Sequence, residues 1–428
     1  MTQPIYFVRG ALVALMLASA SCTDPSGPVP ASTDRFASIS AGSMLVCGVG
    51  LDGYAYCWGG NEYGQVGSPS RSQCIGGGLE QIPCATRPQR VGLQEQLTAV
   101  SAGAFHACAL TADGTAYCWG ANYDGQLGRG ASGGKFSPGR VVAPVKFSQI
   151  VAQWRHTCAL DINGVVWCWG LNEYGQLGRG TNDVEPHPAS AQIGSDLRFT
   201  SLGKGLAHHT CGIAVTGGAW CWGVNQDESL GTSTTEKCLS NPYRFYGDLC
   251  ATRPVRALPD LALDSITSGD MHGCARTSSG EWTCWGSATN GNLGIGLPQD
   301  CVTTVDGIEY HRPCNRDRLP VVGSASFTEM HAGSGFTCAV DLDKQGWCWG
   351  GPVPFGSLGT GIAEHTTDVP VQVAGDILFT QLSVGGYNVC GLDASGAAWC
   401  WGYARSGAIG DGTFQEGAVD VPTRVLAR

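Results

Sequence analysis

From Phe36 onward the hydrophobic and polar positions alternate in short bursts broken by glycine, which is the period of strands rather than of helices. The bursts repeat. The stretch from His156 to Gly180, HTCALDINGVVWCWGLNEYGQLGRG, has six further copies. Seven cysteine pairs mark the set, each pair ten positions apart: Cys47 with Cys57, Cys108 with Cys118, Cys158 with Cys168, Cys211 with Cys221, Cys274 with Cys284, Cys338 with Cys348 and Cys390 with Cys400. β-prone arms flank Asp-Gly or a close relative at the midpoint, which predicts a β-hairpin in every copy. If Cys108 lies opposite Cys118, the pairing centre is Asp113 and Gly114 falls where a three-residue loop needs a positive φ. Gly53, Gly164, Gly217, Gly280 and Gly396 share that offset, but the sixth copy has Lys344 there, so its turn is expected to differ. Directly opposed strand residues lie about 4.5 to 5.5 Å apart at Cα, a span that suits a disulfide.

Trp58, Trp119, Trp169, Trp222, Trp285, Trp349 and Trp401 each follow the second cysteine and are followed by glycine. Neighbouring strand residues point to opposite faces, so these rings and the cystines should cover the two faces of one sheet. That is a packing role, not a ligand-stacking one. Each copy opens with a strand-like segment such as FASISAG at Phe36 or FTQLSVG at Phe379, and after the hairpin carries a loop of the NEYGQLG type and a Pro-containing strand such as RPQRV. Four strands per copy and seven copies predict an all-β, seven-bladed β-propeller of four-stranded blades with one disulfide inside each blade. A solenoid is the other closure of such repeats, but no polar capping copies stand at the ends.

The combination G-x-x-H-T-C-A-L, D-G-x-V-x-C-W-G and N-x-x-G-Q-L-G resembles the repeat of the regulator-of-chromosome-condensation family across Phe36 to Arg428. The resemblance implies a seven-bladed ring closed by pairing of terminal segments, Phe36 to Gly42 with the strand around Val421 to Val425. It also calls up functions that composition excludes. The family's nuclear member is an exchange factor for a small GTPase on chromatin, whereas a net charge of -10 speaks against a nucleic-acid surface. A plant ultraviolet photoreceptor of this fold uses clustered tryptophans in G-W-R-H-T motifs, and only Gln153-Trp154-Arg155-His156-Thr157 is similar, with Phe105, Met271 and Gly335 set against that tryptophan in other copies. A secreted β-lactamase inhibitor of similar fold binds through loops on one face, and the paired cysteines fit that exported class.

Before the repeats, Arg9 and the apolar run Ala11 to Ala18 lead through small residues to Cys22, the pattern of a bacterial secretory signal. Ser19-Ala20-Ser21-Cys22 resembles a lipoprotein box with serine in place of leucine. The expected organisation is residues 1–21 signal peptide, residues 22–35 a lipid-anchored flexible tether, and residues 36–428 the propeller. Twenty of the 21 cysteines pair in the body, leaving Cys22 for lipidation. The protein is thus expected in the cell envelope or at the cell surface, attached to the membrane through the N-terminal lipid alone, or else secreted.

Three copies carry insertions, and these hold Cys74 with Cys84, Cys238 with Cys250, and Cys301 with Cys314, each expected to pair locally because other pairings would join different blades. The insertions occupy one point of the repeat and should emerge on one face. Ordering a loop with its own staple costs less on binding, so Tyr243, Arg244, Phe245 and Tyr246, with Tyr310, His311 and Arg312, are the candidate binding residues. The expected partner is a protein, peptide or envelope glycan. His106, His156, His209 and His272 each precede a first cysteine by two residues, but equivalent places in separate blades spread around a ring, so structural histidines bonded to backbone are expected rather than a metal site. The chain shows no G-x-S-x-G, H-E-x-x-H or P-loop motif, and no catalytic residue, metal or cofactor is assigned. The alternative is a polysaccharide lyase or hydrolase with carboxylates converging at the ring axis.

Overall fold

The computed structural model describes residues 35–70, 72–76, 80–238, 249–305, 308–315, 318–351, 355–362 and 366–427. Chain contacts divide Met1–Ser32 from Thr33–Arg428, and the second unit holds all of the described strands. It consists of seven antiparallel blades, each made of strands consecutive in sequence. In the third blade, Phe147–Ala152, His156–Asp161, Val166–Asn172 and Asp183–Gln192 lie in that order from the axis outward. The fifth blade has three strands, Leu263–Ser268, His272–Thr277 and Trp282–Gly286, with the fourth reduced to a bridge between Thr283 and Pro320.

The hairpin register follows from the cysteine spacing. Cys47 lies directly opposite Cys57, Cys108 opposite Cys118, Cys158 opposite Cys168 and Cys211 opposite Cys221. The same holds for Cys274 and Cys284, Cys338 and Cys348, and Cys390 and Cys400. All seven of these disulfides form, with Cα atoms 4.0 to 4.2 Å apart. That separation is shorter than the span expected for opposed residues, because the bond draws the two strands together at that point. Gly53, Gly114, Gly164, Gly217, Gly280 and Gly396 all have positive φ. The sixth turn does not differ as expected: Lys344 takes φ 66° and donates its amide to Asp341 O, as Gly114 does to Thr111 O. Asp341 explains how lysine is held in a conformation that costs it about 1 to 2 kcal/mol. Its Oδ1 accepts the amides of Asp343 and Gln345, and its Oδ2 accepts Trp347 Nε1.

The seven tryptophans after the second cysteines are buried and join one blade to the next. Trp119 Nε1 donates to Gln65 O and Trp169 Nε1 to Gln126 O, each at 2.9 Å and each into the glycine-rich loop of the preceding blade. Trp222, Trp285, Trp349 and Trp401 do the same with Gln176, Ser229, Asn292 and Ser357. Trp58 of the first blade donates to Ala408 of the seventh, so the ring closes with the bond used at every other joint. Gly128 shows why glycine ends these loops: a Cβ there would lie 2.8 Å from Trp169 Nε1.

The pairing of terminal segments implied by the resemblance is not the closure observed. Ala418–Arg424 stays in the seventh sheet and Phe36–Ala41 in the first. What joins them is stacking, with Phe36, Trp58, Leu392 and Val425 in one core cluster and the Phe36 amide bonded to Gly396 O.

Candidate functional site

The first-to-second and third-to-fourth strand connections of every blade emerge at one end of the ring, because the strands alternate in direction. The insertions lie in third-to-fourth connections and so share this face. Cys74–Cys84 and Cys238–Cys250 form as expected, and Cys314 is also disulfide-bonded, while the Cys301 side chain lies outside the described residues. These staples differ from the hairpin cystines. Cys74 faces Ile82 while Cys84 faces Ser72, so the bond runs diagonally, with Cα atoms 5.7 Å apart. The first insertion adds strand Ser72–Ile75 to its blade, the fourth-blade insertion adds Glu236–Lys237, and that of the fifth forms a separate ribbon of Gln299–Val305 and Ile308–Cys314.

Tyr243, Arg244, Phe245 and Tyr246 lie outside the described residues. Tyr310 and Arg312 have their backbone in the ribbon, opposite Thr303 and Cys301, and their side chains are likewise outside the description. His311 is exposed and its Nδ1 lies 2.7 Å from Asp300 Oδ2 across the same ribbon.

The same face carries an aromatic arc that the sequence reading did not assemble. Tyr63 of the first blade meets Phe105 of the second edge-on at 5.4 Å and Tyr123 at 6.0 Å. Phe105 meets Trp154 of the third blade at 6.0 Å, and Trp154 meets His208 of the fourth at 5.3 Å. These rings, with Gln126 and Arg155, line a cavity of about 380 Å³. Arg155 donates from Nε and Nη2 to the two carboxylate oxygens of Asp124, at 2.7 and 2.8 Å. That fork holds the planar cation in one orientation at the cavity wall. Burial and the neighbouring Glu62 push the Tyr63 phenol upward, so it stays a hydrogen-bond donor at neutral pH. A second group, Phe355, Tyr387 and Tyr403, spans the sixth and seventh blades, with ring centroids 4.9 to 6.3 Å apart.

The signal for the arc was present in the repeat. His156 and His106 occupy equivalent places, so Phe105 aligns with Arg155 and Trp154 with Ala104, one position away from the match used above. With that register, Phe105, Arg155 and His208, each just before a histidine, line the cavity beside Tyr63 and Tyr123 of the N-x-x-G loops. The histidines are structural, but their partners are not backbone. His106, His156 and His272 each place Nε2 within 2.8 to 2.9 Å of a threonine hydroxyl in the next blade, Thr157, Thr210 and Thr337. At the corresponding place beyond His209 stands Gly273, and neither ring nitrogen of His209 has a partner.

The axis is lined by the first strands, around a channel of about 270 Å³ walled mainly by serine, threonine, alanine and glutamine. Among the described residues lining it and the adjoining cavity, Glu329 supplies the one carboxylate. The convergent carboxylates that a glycan-cleaving site would need are not among them. Among the described residues no group of three or more His, Cys, Asp or Glu is placed to hold a metal ion, and no helix is long and apolar enough to cross a membrane.

The model of the RCC1-like domain matches residues 15–378 of the chain. The ultraviolet-B receptor UVR8 of Arabidopsis thaliana is 30% identical over 274 residues, covering 62% of this chain and 56% of that protein. The probable E3 ubiquitin-protein ligase HERC4 of Homo sapiens is 29% identical over 365 residues, covering 83% of this chain and 31% of that protein. The chain therefore spans about half or less of these relatives' length. The solved structure of Prp20p from Saccharomyces cerevisiae, described with its binding to Gsp1p and histones, superposes with a TM-score of 0.69 at 20% identity, covering 92% of this chain and 88% of that one.

Proposed function

We propose a binding role from one premise: this chain belongs to the RCC1-like domain family. The protein is exported, anchored through a lipid on Cys22, and recognises a protein, peptide or envelope glycan through the face that bears the stapled insertions. The observation that carries this reading is the arc from Tyr63 to His208 with its pinned Arg155. Half-buried rings offer a large contact area at low entropic cost, and aromatic residues and arginine are the types that dominate binding energy. Solved Prp20p is described as binding proteins, which supports a macromolecular partner by analogy of fold alone.

The test is capture from envelope extract by the full chain, by a double variant carrying Trp154→Ala and Arg155→Ala, and by a chain lacking residues 239–248. Losing two anchors of this kind costs about 2 to 4 kcal/mol or more, so the double variant should retain a given partner at least 30-fold less well. The loop deletion should weaken capture of the same partner. Undiminished capture by both variants would remove the case for this face. Fractionation tests the anchor separately: Cys22→Ser should move the protein from membranes to the soluble fraction, and unchanged membrane association would refute the lipid.

A further inference from the structure

The first strands hold neighbouring blades together around the axis by a repeated polar device. At the third position of the strand, Gln149 donates Nε2 to Leu202 O and accepts the Leu202 amide on Oε1, at 2.9 and 2.8 Å. Gln381 clamps Ile39 in the same way. At the fifth position a hydroxyl accepts an amide from the next blade, as Ser40 does from Ala102, Ser101 from Ala152, and Ser383 from Ala41. At the sixth position most blades have alanine.

Three ionisable side chains stand at these positions, and all three fall in one sector around the axis. Glu329 stands where the amide clamps stand. It accepts the Leu382 amide at 2.8 Å, but a carboxylate has no hydrogen to give the Leu382 carbonyl, so the clamp is half made. His331 replaces the hydroxyl two residues on, and its Nε2 lies 3.7 Å from Glu329 Oε2, too far for a hydrogen bond. Lys204 of the fourth blade replaces the alanine; it is exposed into the channel and makes no ion pair among the described residues. Burial alone would raise the Glu329 carboxyl; the His331 imidazole, the Leu382 amide and the Lys204 charge outweigh it and hold the group below the usual range. It is therefore ionised at neutral pH. Two cations, Lys204 and Arg276, and one carboxylate, Glu329, line the same cavity, with the fifth blade's hydroxyl-bearing Ser265 and Thr267 beside them; Arg276 is already paired with Asp264 at 3.0 Å, which leaves Lys204 and Glu329 for a ligand.

At these three positions the other blades carry only uncharged side chains, so ionisable ones gathered in a single sector mark a site retained for something other than joining blades. We propose that this sector of the central channel binds a small zwitterion of the amino-acid type, its ammonium on Glu329 and its carboxylate on Lys204. The roughly 270 Å³ of the cavity that Lys204 and Glu329 both line suits a molecule of a few heavy atoms. A lysine and a carboxylate on one cavity favour a ligand that carries both signs, because either sign alone leaves one wall charge unpaired. The site is separate from the loop face and does not rest on the partner proposed there.

Titration calorimetry on the full chain tests it, with glycine, L-alanine, D-alanine and 4-aminobutyrate against the single-charge probes acetate and ethylamine. At least one zwitterion should bind tenfold or more tightly than either single-charge probe. Glu329→Gln and Lys204→Met should each weaken it at least tenfold. Thermal denaturation supplies the folding control: glutamine completes the clamp, so Glu329→Gln should melt at the same or a higher temperature than the wild type. Zwitterions no tighter than acetate or ethylamine, binding unchanged in both variants, or a lower melting temperature for Glu329→Gln would each overturn the proposal.

Discussion

Trp119→Ala is expected to destabilise the protein by about 4 to 8 kcal/mol, enough to unfold many domains of ordinary stability. Two losses add. The ring is fully buried against the first blade's loop, and removing it opens a cavity costing about 3 to 5 kcal/mol. Its Nε1 is also the donor to Gln65 O, and a buried carbonyl left alone costs about 1 to 3 kcal/mol more. Trp169 gives an internal comparison. Gln126 O accepts from both Trp169 Nε1 and Thr157 Oγ1, whereas the residue of the second blade equivalent to Thr157 is Ala107. Trp119→Phe should therefore cost about 1 to 3 kcal/mol more than Trp169→Phe, since only the former strands its carbonyl. Urea denaturation of the two variants measures this, and equal losses would show that the indole bond does not bind the blades.

Acid should unfold the ring well above the carboxylate range. Burial draws His106 down to about 3, His272, with His209 adding its charge, also to about 3, and His209 to about 4, against an ordinary value of 6.5. These groups stay neutral when folded and become protonated when unfolded. Their contribution is therefore complete above pH 6.5 and falls away as the pH drops toward their folded values, at about 1.4 kcal/mol per unit for each. At pH 4.5 the three together cost roughly 8 kcal/mol, comparable to the whole stability of a typical domain. His156, also held well below its ordinary value by burial, acts in the same direction. Between pH 6.5 and 4.5 most carboxylates are still ionised in either state, so the slope there belongs to the histidines. A melting temperature that stays level from pH 7 to pH 4.5 would contradict this.

Much of the architecture was readable because the repeat states each rule several times. A cysteine pair ten residues apart with a turn residue between them fixes strand register without further help, and the structure places Cys158 opposite Cys168 as that requires. Lys344 shows the limit of a local rule: sequence alone weighs its backbone cost, while the compensating bonds of Asp341 appear only with the side chains in place. The arc was harder to read because its members come from successive blades, and one misaligned position hid that Phe105 and Trp154 approach each other. Glu329 was hidden for another reason. It looks like an ordinary polar strand residue until Gln149 and Gln381 show the two-sided clamp that an amide makes at this place and a carboxylate can only half make.

The Trp58 bond to Ala408 is chemically the same as the joint between any other two blades, and no strand is shared across it. Topologically, then, the point at which the polypeptide starts round the circle is arbitrary. A gene rearranged to begin at Phe199, with Arg424 joined to Phe36 by a connector like that between Gln192 and Phe199, should encode the same object. Such a permuted chain would let a fusion or an anchor be moved to another sector of the rim without touching what the face presents.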